Sequence, residues 1–430
     1  MEQIRAGVAR ADITPPLGTL LMGYPKPRIS DNVLDPLTVT ALAMTNKSDK
    51  TILLSISTTV IDNEITDAIR KAVSEKTGYD YYNINVFAWQ IHSGPATQSC
   101  WGWNDANRPY CFDILIPACV KAAIDAIADL GEVEIGIGTT KSDVGCNRRE
   151  LLEDGTVTLG QNPWGPYDST MTAIRFIRDG KPYANIIHYG AHPTAIGATN
   201  DITKDWPGIM VDRVESIVGG MTLFVNGAVG DIGPRPSEGE TAHVGIEGMR
   251  EVGYRAGHDA VLACKSVKQF SKTDLEIISE DIFIPYQPLA DEKTALEKMN
   301  EYKNKREPGM MEAEYQYWLH VVEEYKKESP LKELTYRQTI TKIGTVALVP
   351  FPGEPFAEIV LRLRLHSPIT HTLSISTANG SYGYMVTNEA YVRGGYEVAV
   401  AKAFSPYLLA KNADDILVNE NLRLLRKLKY

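Results

Sequence analysis

Short apolar runs alternate with amphipathic segments along most of this chain of 430 residues. The runs at 51–58 (TILLSIST), 83–88 (NINVFA) and 221–227 (MTLFVNG) have the length and composition of buried strands. The segment 63–78 between the first two runs has helical spacing of its apolar residues and ends in glycine. This alternation predicts an α/β architecture with a mixed sheet.

Other segments extend the same pattern. The segment 171–192 predicts a β-hairpin with Asp179–Gly180 as its turn. From 288 to 328 the composition becomes strongly charged, and the segment predicts two helices interrupted at Pro308–Gly309. We interpret it as a solvated helical hairpin packed on the core, with a lid over a site or a contact between copies of the chain as alternatives. No repeat or linker interrupts the sequence, so we expect one unit spanning 1–430.

Charge and composition exclude several classes of partner. The formal charge of −10 argues against nucleic acid and anionic membrane surfaces. No run approaches the roughly 18 apolar residues needed to span a bilayer. The first residues lack the apolar core of a secretory signal, and the five cysteines form no CxxC pair. We therefore expect a cytoplasmic protein with reduced thiols.

The first of four polar loops at strand ends is Gln90-Ile91-His92-Ser93-Gly94. If the strand continued, alternation would place the side chains of Gln90 and His92 on the same side. The loop could be a metal site that lacks one ligand, or the end of a strand that holds a structural histidine.

The second loop contains His188 and His192 in HYGAHPTAIG. If the segment remained extended, both imidazoles would face one side, and imidazole is a common zinc ligand. Asp205 follows, where it could cap a helix that begins near Pro207.

The third and fourth loops are FVNGAVGDIGPRP and VPFPGEPFAE. In the third loop, glycines beside Asn226 and Asp231 would let the backbone approach a ligand closely, although the loop could be an ordinary turn. In the fourth, Glu354 lies where a strand meets a helix, and its carboxylate could either serve a site or stabilise the helix N-terminus.

In order along the chain, these segments resemble the neutral ceramidase family. The matching motifs are AGVARADITPPLG, MGY, IHSGP, NRR at 147–149, AHPT, NGAVGD, PGE and YMVTNEAYVRGGY. The resemblance implies a catalytic domain of multilayer mixed β-sheets flanked by helices, without the C-terminal immunoglobulin-like domain of that family. It also implies a zinc amidase fold that cleaves N-acyl bonds.

The resemblance assigns roles by motif position. The zinc ligands match His192, Glu354 and Tyr384, and the residues around the substrate amide match His92, Arg148 and Tyr396. Asp231 matches the aspartate beside the nucleophilic serine of the family, and we expect Gln90, Asn226 and Gly233 to contact substrate.

Two departures from the family pattern change the expected chemistry. Gln90 replaces a histidine ligand, and Gly233 replaces the serine nucleophile. Glutamine is a poorer zinc ligand than imidazole, so the site could bind zinc only more weakly. Loss of the serine removes the covalent nucleophile, and we therefore expect a hydrolase that is not a ceramidase.

Aromatic and polar residues that follow the first loop suggest the kind of substrate. Trp101 and Trp103 alternate with amides, carboxylates and arginines, which suits a small polar ligand such as a sugar or an N-acyl compound better than a lipid. Three hypotheses remain: a hydrolase acting on an amide through activated water, a glycoside hydrolase or lyase on the same scaffold, and a binding protein without catalysis.

Overall fold

The computed structural model describes residues 3–237 and 245–429. Its strands, numbered along the chain, are β1 (Arg5–Asp12), β2 (Leu20–Leu21), β3 (Arg28–Ile29), β4 (Asn32–Val33), β5 (Thr38–Thr45), β6 (Lys50–Ile56), β7 (Ile84–Ala88), β8 (Gly131–Glu132), β9 (Glu134–Lys141), β10 (Gly145–Leu151), β11 (Val157–Asn162), β12 (Thr170–Arg178), β13 (Lys181–Tyr189), β14 (Asp201–Ile202), β15 (Met221–Asn226), β16 (Ile232–Pro234), β17 (Leu275–Pro285), β18 (Glu333–Ile343), β19 (Val346–Pro350), β20 (Glu354–Pro355), β21 (His371–Ile375) and β22 (Tyr384–Met385).

The helices are α1 (Asn63–Thr77), α2 (Arg108–Tyr110), α3 (Ile116–Ala128), α4 (Asp205–Val218), α5 (Gly245–Lys265), α6 (Glu292–Lys303), α7 (Met310–Glu324), α8 (Ala357–His366), α9 (Asn388–Arg393), α10 (Tyr396–Val400) and α11 (Ala413–Leu425). A π-helical stretch, Cys111–Leu115, joins α2 to α3. Within the described ranges, no helix combines the length and apolarity needed to cross a bilayer.

Three larger sheets form the layers of the fold. The first has the strand order β7-β6-β5-β1-β8, the second β15-β13-β12-β9, and the third β17-β18-β19-β21. Each sheet is mixed, because β6–β7, β13–β15 and β19–β21 pair in parallel while the other pairs are antiparallel. Helices α1 and α3 cover the first sheet, α4 and α5 the second, and α8 and α11 the third.

The apolar faces of these sheets meet in one shared cluster. It contains Leu53 and Phe87 of the first sheet, Ile186 of the second and Leu348 of the third, all buried. Because the central strands are covered on both faces, they contain nearly continuous apolar runs. The predicted fold class, multilayer mixed sheets flanked by helices, is confirmed.

Local signals in the sequence correspond to the observed turns. The hairpin of β12 and β13 turns at Asp179 and Gly180, whose φ angles of 52° and 73° lie in the left-handed region that a tight hairpin turn requires. The five cysteines are free and buried.

The charged segment forms two helices that pack on each other, α6 and α7, with the break at Pro308–Gly309 as predicted. The hairpin is docked on the tryptophan-containing loop, since the N–H of Gly309 donates to the carbonyl of Gly102 at 2.6 Å. In addition, Trp101 stacks on His320 of α7 with ring centroids 4.2 Å apart. This arrangement places the hairpin beside the loops that follow β7.

Strands β7, β13 and β15 end close together. Asn226, the last residue of β15, donates from Nδ2 to the carbonyls of Trp89 and Ala191 at 2.8 and 3.2 Å. Its Oδ1 accepts the N–H of Ala191 at 3.2 Å. One buried amide therefore joins the starts of two of the polar loops that the sequence singles out.

Candidate active site

Gln90 lies in a strained loop after β7. The strand ends at Ala88 and Gln90 has φ 71°, so the expectation that Gln90 and His92 share one face of a strand is wrong. The N–H of Gln90 donates to the carbonyl of Thr58 at 2.9 Å, and its Nε2 donates to Oε1 of Glu354 at 3.2 Å. A non-glycine residue in the left-handed region costs roughly 1–3 kcal/mol, and such strain is concentrated at functional sites.

His192 is oriented by the loop between β13 and β14. Its N–H and its Nδ1 lie 3.0 and 3.1 Å from the carbonyl oxygen of Ile232. The indole N–H of Trp206 donates to the His192 carbonyl at 3.1 Å. The segment does not remain extended, because β13 ends at Tyr189, and Nε2 of His188 lies 2.8 Å from the carbonyl of Ser374 instead.

Asp205 ties this loop to helix α4. Its carboxylate accepts the N–H groups of Ala195 and Ile196 at 3.2 and 3.1 Å and that of Trp206 at 2.6 Å. Burial raises the pKa of Asp205 to about 6. Helix α4 begins at Asp205 and its N-cap is Lys204, which makes no side-chain cap bond, so the expectation that Asp205 caps a helix starting near Pro207 is wrong. Asp205 instead holds the backbone of Ala195 and Ile196 in the loop that carries His192.

Glu354 is held by the parallel pair of β20 and β22. Its N–H donates to the carbonyl of Gly383 at 2.9 Å, and the residue is 3% exposed. The first N–H of helix α8, that of Ala357, donates to Asp231 at 2.7 Å. Asp231 thus caps this helix, and the Glu354 carboxylate is left to face the site.

The central feature of the site is the contact between His192 and Glu354. Nε2 of His192 lies 3.2 Å from Oε2 of Glu354. Because Nδ1 faces a carbonyl, Nδ1 carries the proton and Nε2 presents a lone pair. Burial and the charge of Arg148 lower the pKa of His192, which favours the neutral ring. Neither atom has another hydrogen-bond partner within the described ranges, so a proton or a metal ion between them would satisfy both.

Arg148 carries a buried positive charge beside this pair. Its Nε donates to Oε1 of Glu397 at 2.9 Å, and its Nη2 donates to the Gly230 carbonyl at 2.7 Å and to the Tyr384 hydroxyl at 3.1 Å. The other oxygen of Glu397 accepts Nη1 of Arg149 at 2.7 Å. Glu397, whose side chain is 1% exposed, therefore balances two buried guanidinium groups.

The two tyrosines of the last motif keep their protons. Burial raises the pKa of Tyr384 well above its usual value and that of Tyr396 to about 12. Their rings lie 6.4 Å apart in an edge-to-face arrangement. Since Tyr384 accepts a hydrogen bond from Arg148, its own O–H is a polarised donor.

His92 packs against a residue that has no side chain. A Cβ at Gly23 would lie 2.5 Å from Cγ of His92, so the ring occupies space that only glycine leaves open. The rings of His92 and His192 lie 5.7 Å apart. Burial, and then the neighbouring His192, Arg28 and Arg148, lower the pKa of His92 well below its usual value, so this imidazole is neutral.

Some of these side chains line a cavity of about 50 Å³, while His192 and Arg148 lie behind its wall in contact with Glu354 and Tyr384. Its polar wall contains Thr59, Gln90, His92, Glu354, Tyr384 and Tyr396. Its apolar wall contains Met22, Val60, Cys100, Trp103, Val400 and Phe404. At roughly 10–15 Å³ for each water, the cavity has room for about four small atoms.

Three residues expected in the site do not line the cavity, and they contact the elements that carry its residues. Asp231 caps α8 and accepts Nδ2 of Asn147 at 2.9 Å, while burial raises its pKa to about 7. Asn226 joins the loops, as described above. Gly233 lies in β16 next to Ile232, the residue that orients His192. We therefore describe Asp231, Asn226 and Gly233 as positioning residues in this structure.

Sequence analysis did not assign Glu397, Gly23 or Cys100 to the site. Glu397 follows Gly394-Gly395-Tyr396, and an acidic residue inside a motif of tyrosines and glycines was a usable signal. The thiol of Cys100 lines the cavity, but burial and then Glu354 raise its pKa to about 12, so it is an inert thiol.

The site offers a metal ion two well-placed donors. Two ligands of a tetrahedral zinc at about 2.0–2.1 Å would lie about 3.3 Å apart, which is close to the 3.2 Å between His192 Nε2 and Glu354 Oε2. The contact from Nδ1 of His192 to a carbonyl is also usual for a metal-bound histidine. Tyr384 would be a weaker third ligand because it keeps its proton. Within the described ranges, no group of three or more His, Cys, Asp or Glu converges. The residues therefore fit a weakly held ion.

Substituting histidine for Gln90 tests whether this residue lies at a metal site formed by His192 and Glu354. We expect Gln90→His to raise the zinc content of the purified protein, because a third strong ligand would join His192 and Glu354. Elemental analysis of wild type and variant after identical zinc loading and dialysis measures the change. His188→Gln, which alters a buried histidine outside the cavity, is the control. Equal zinc content in wild type and Gln90→His would contradict the assignment of Gln90 to the metal site.

No protein-family model matches the sequence, and no curated protein matches it. Solved structures do match. A crystal structure of neutral ceramidase from Pseudomonas aeruginosa is 18% identical, with a TM-score of 0.74 over 100% of this chain and 76% of that one. A structure described as ceramidase complexed with C2 has the same identity and coverage and a TM-score of 0.75. The fold is that of neutral ceramidase, which confirms the fold expected from the motifs.

Proposed function

We propose that this protein is a hydrolase that cleaves a small polar substrate of amide or N-acyl type with water as the nucleophile. The observation that carries the proposal is the buried pair His192–Glu354, with Nε2 and Oε2 3.2 Å apart and the Glu354 carboxylate on the wall of a small cavity. A carboxylate coupled to an imidazole is a suitable acceptor for the proton of an attacking water.

The other residues of the cavity support this chemistry. Water would add to the amide carbon, its proton would pass to Glu354, and the C–N bond would break as the leaving amine takes up a proton. The O–H of Tyr384, polarised by Arg148, would donate to the oxyanion. Neutral His92 and Tyr396 would hydrogen-bond the amide. With glycine at 233, no side chain is available there for a covalent intermediate.

A divalent ion held by His192, Glu354 and Tyr384 would polarise the carbonyl and lower the pKa of a bound water. With the ion bound, Glu354 and Tyr384 would serve as ligands, while His92 and Tyr396 would still hydrogen-bond the amide. Loss of one histidine ligand makes the side chains carry more of the catalysis than in a site with three strong ligands.

A carbohydrate-active enzyme is the second candidate. A polar cleft with Trp101 and Trp103 beside the cavity favours it. A glycosidase ordinarily needs two carboxyl groups on either side of the bond to be cleaved. Glu354 reaches the cavity, but both oxygens of Asp231 accept N–H bonds away from it. We therefore rank amide hydrolysis first and a purely binding function last.

The first experiment is the metal content of the purified protein, measured by elemental analysis before and after chelation. It is followed by assays on panels of N-acyl compounds and of aryl glycosides. Turnover of N-acyl compounds, slowed by the chelator if metal is present, would support the proposal. Turnover of glycosides alone, or of neither panel, would contradict it.

A further inference from the structure

We infer that the substrate is an N-acylated, polyhydroxylated amine whose acyl group has two or three carbons. The acyl group would occupy the cavity beside Glu354, and the polyhydroxylated part would occupy the cleft beside Trp103. The assignment builds on the proposed amide hydrolase function, and its binding test is independent of turnover.

The cavity limits the acyl group. Its volume of about 50 Å³ suits the four heavy atoms of an acetamide group. Its apolar wall is packed into the core, since Val400 is 2% exposed and Cys100 is 7% exposed. The ring of Phe404 packs on Gly383, where a Cβ would lie 2.8 Å from the ring. A chain of eight or more carbons exceeds this volume, so it would have to displace these side chains or extend into the neighbouring polar cleft.

The cleft favours a polar leaving part. It has a volume of about 620 Å³ and shares Cys100 and Trp103 with the cavity, so the two spaces are neighbours. Trp101, Trp103, Asp105, Arg306 and Glu307 are among its lining residues. Flat aromatic faces beside donors and acceptors are the surfaces that polyhydroxylated ligands need, because such ligands have both C–H faces and hydroxyl groups.

The charges of the cleft argue against an anionic substrate. Arg306 is paired with Glu312 through two contacts of 2.6 and 2.7 Å. The carboxylates of Asp105 and Glu307 also line the cleft, so its net charge is negative. A neutral or cationic amine is therefore the better fit.

The loop that carries Trp103 is held in place. Nδ2 of the buried Asn104 donates to the carbonyl of Leu21 at 3.1 Å, and the N–H of Gly309 donates to Gly102. The cleft therefore lies between the loop and the helical hairpin as a preformed site, with the hairpin as its second wall.

Binding to the inactive Glu354→Gln variant tests the inference without turnover. The probes are acetamide and the N-acetyl and N-octanoyl derivatives of glucosamine, galactosamine and mannosamine, measured by calorimetry. We expect at least one N-acetyl amino sugar to bind about tenfold more tightly than both acetamide and its own N-octanoyl analogue. Equal or tighter binding of the octanoyl analogue would overturn the limit on the acyl group. Binding no tighter than that of acetamide would overturn the role of the cleft.

Two further variants, made in the same Glu354→Gln background, test the contributions of the cavity and of the cleft separately. Phe404→Ala should improve binding of N-butanoyl relative to N-acetyl probes about tenfold, and Trp103→Ala should weaken the amino sugar about tenfold. Trp164→Ala, which removes a tryptophan that is 94% exposed and lines neither space, is the matched control and should change neither value. If the wild type binds the probes but does not hydrolyse them, the proposed hydrolase function fails while the ligand assignment stands.

Discussion

Glu354→Gln is expected to lower kcat/KM for an N-acyl substrate by roughly 10³-fold, within the range that general acid–base groups contribute. The substitution removes the carboxylate whose Oε2 lies 3.2 Å from Nε2 of His192. Glutamine keeps an acceptor for the Nε2 of Gln90, so the fold should be retained. Steady-state kinetics and thermal unfolding of the variant and the wild type measure the two effects.

The partner substitution and a matched control sharpen this test. His192→Ala should cause a similar loss, and the double variant should lose little more than either single one, because groups that act as a unit are not additive. Glu358→Gln changes the same side chain four residues along, where it is partly exposed on helix α8, and should leave activity within about twofold. Near-normal turnover by both Glu354→Gln and His192→Ala would show that the site lies elsewhere.

Glu397→Ala is expected to destabilise the protein by about 3–5 kcal/mol, because removing one partner of a buried ion pair leaves uncompensated charge. Both Arg148 and Arg149 would lose their carboxylate, and their side chains are only 9% and 10% exposed. Activity should fall as well, since Arg148 would no longer be held against Tyr384. Denaturant titration gives the free energy of unfolding, and kinetics on the folded protein give the activity.

An exposed ion pair on the neighbouring helix provides the control. Glu389→Ala removes a carboxylate that is 62% exposed and paired with Arg393, and such pairs contribute about 0–1 kcal/mol. We expect the two variants to differ clearly in their free energy of unfolding. If Glu397→Ala unfolds at the same denaturant concentration as Glu389→Ala, the buried ion pair does not contribute the expected free energy of unfolding.

Several properties of the protein were predictable because they depend on residues close together in the chain. The apolar period of each segment predicts strands and helices, Asp179–Gly180 predicts the hairpin turn, and Pro308–Gly309 predicts the break between α6 and α7. The order of the short motifs along the chain predicts the neutral-ceramidase fold. In the site, the same motifs predict His92, His192 and Glu354 as residues that come together, and the structure places all three beside one another.

Local patterns were misleading where a loop departs from its strand. Gln90 takes a left-handed conformation because its N–H reaches Thr58 and its side chain reaches Glu354, 264 positions further along the chain. Strand alternation cannot anticipate a conformation that distant contacts impose. Asp231 and Glu354 are similar cases, since either could have capped helix α8 and only packing decides that Asp231 does.

Periodicity and motif order along the chain predict the helices and strands, the fold they form and the residues that could take part in chemistry. The three-dimensional structure was needed to show which atoms face each other: Nε2 of His192 lies against Glu354, and Glu397 lies between two arginines. It alone also sets the size of the cavity at about 50 Å³. The physical reason is that secondary structure follows from periodicity over a few residues, whereas a distance between side chains or a volume depends on the packing of strands and loops that are hundreds of residues apart.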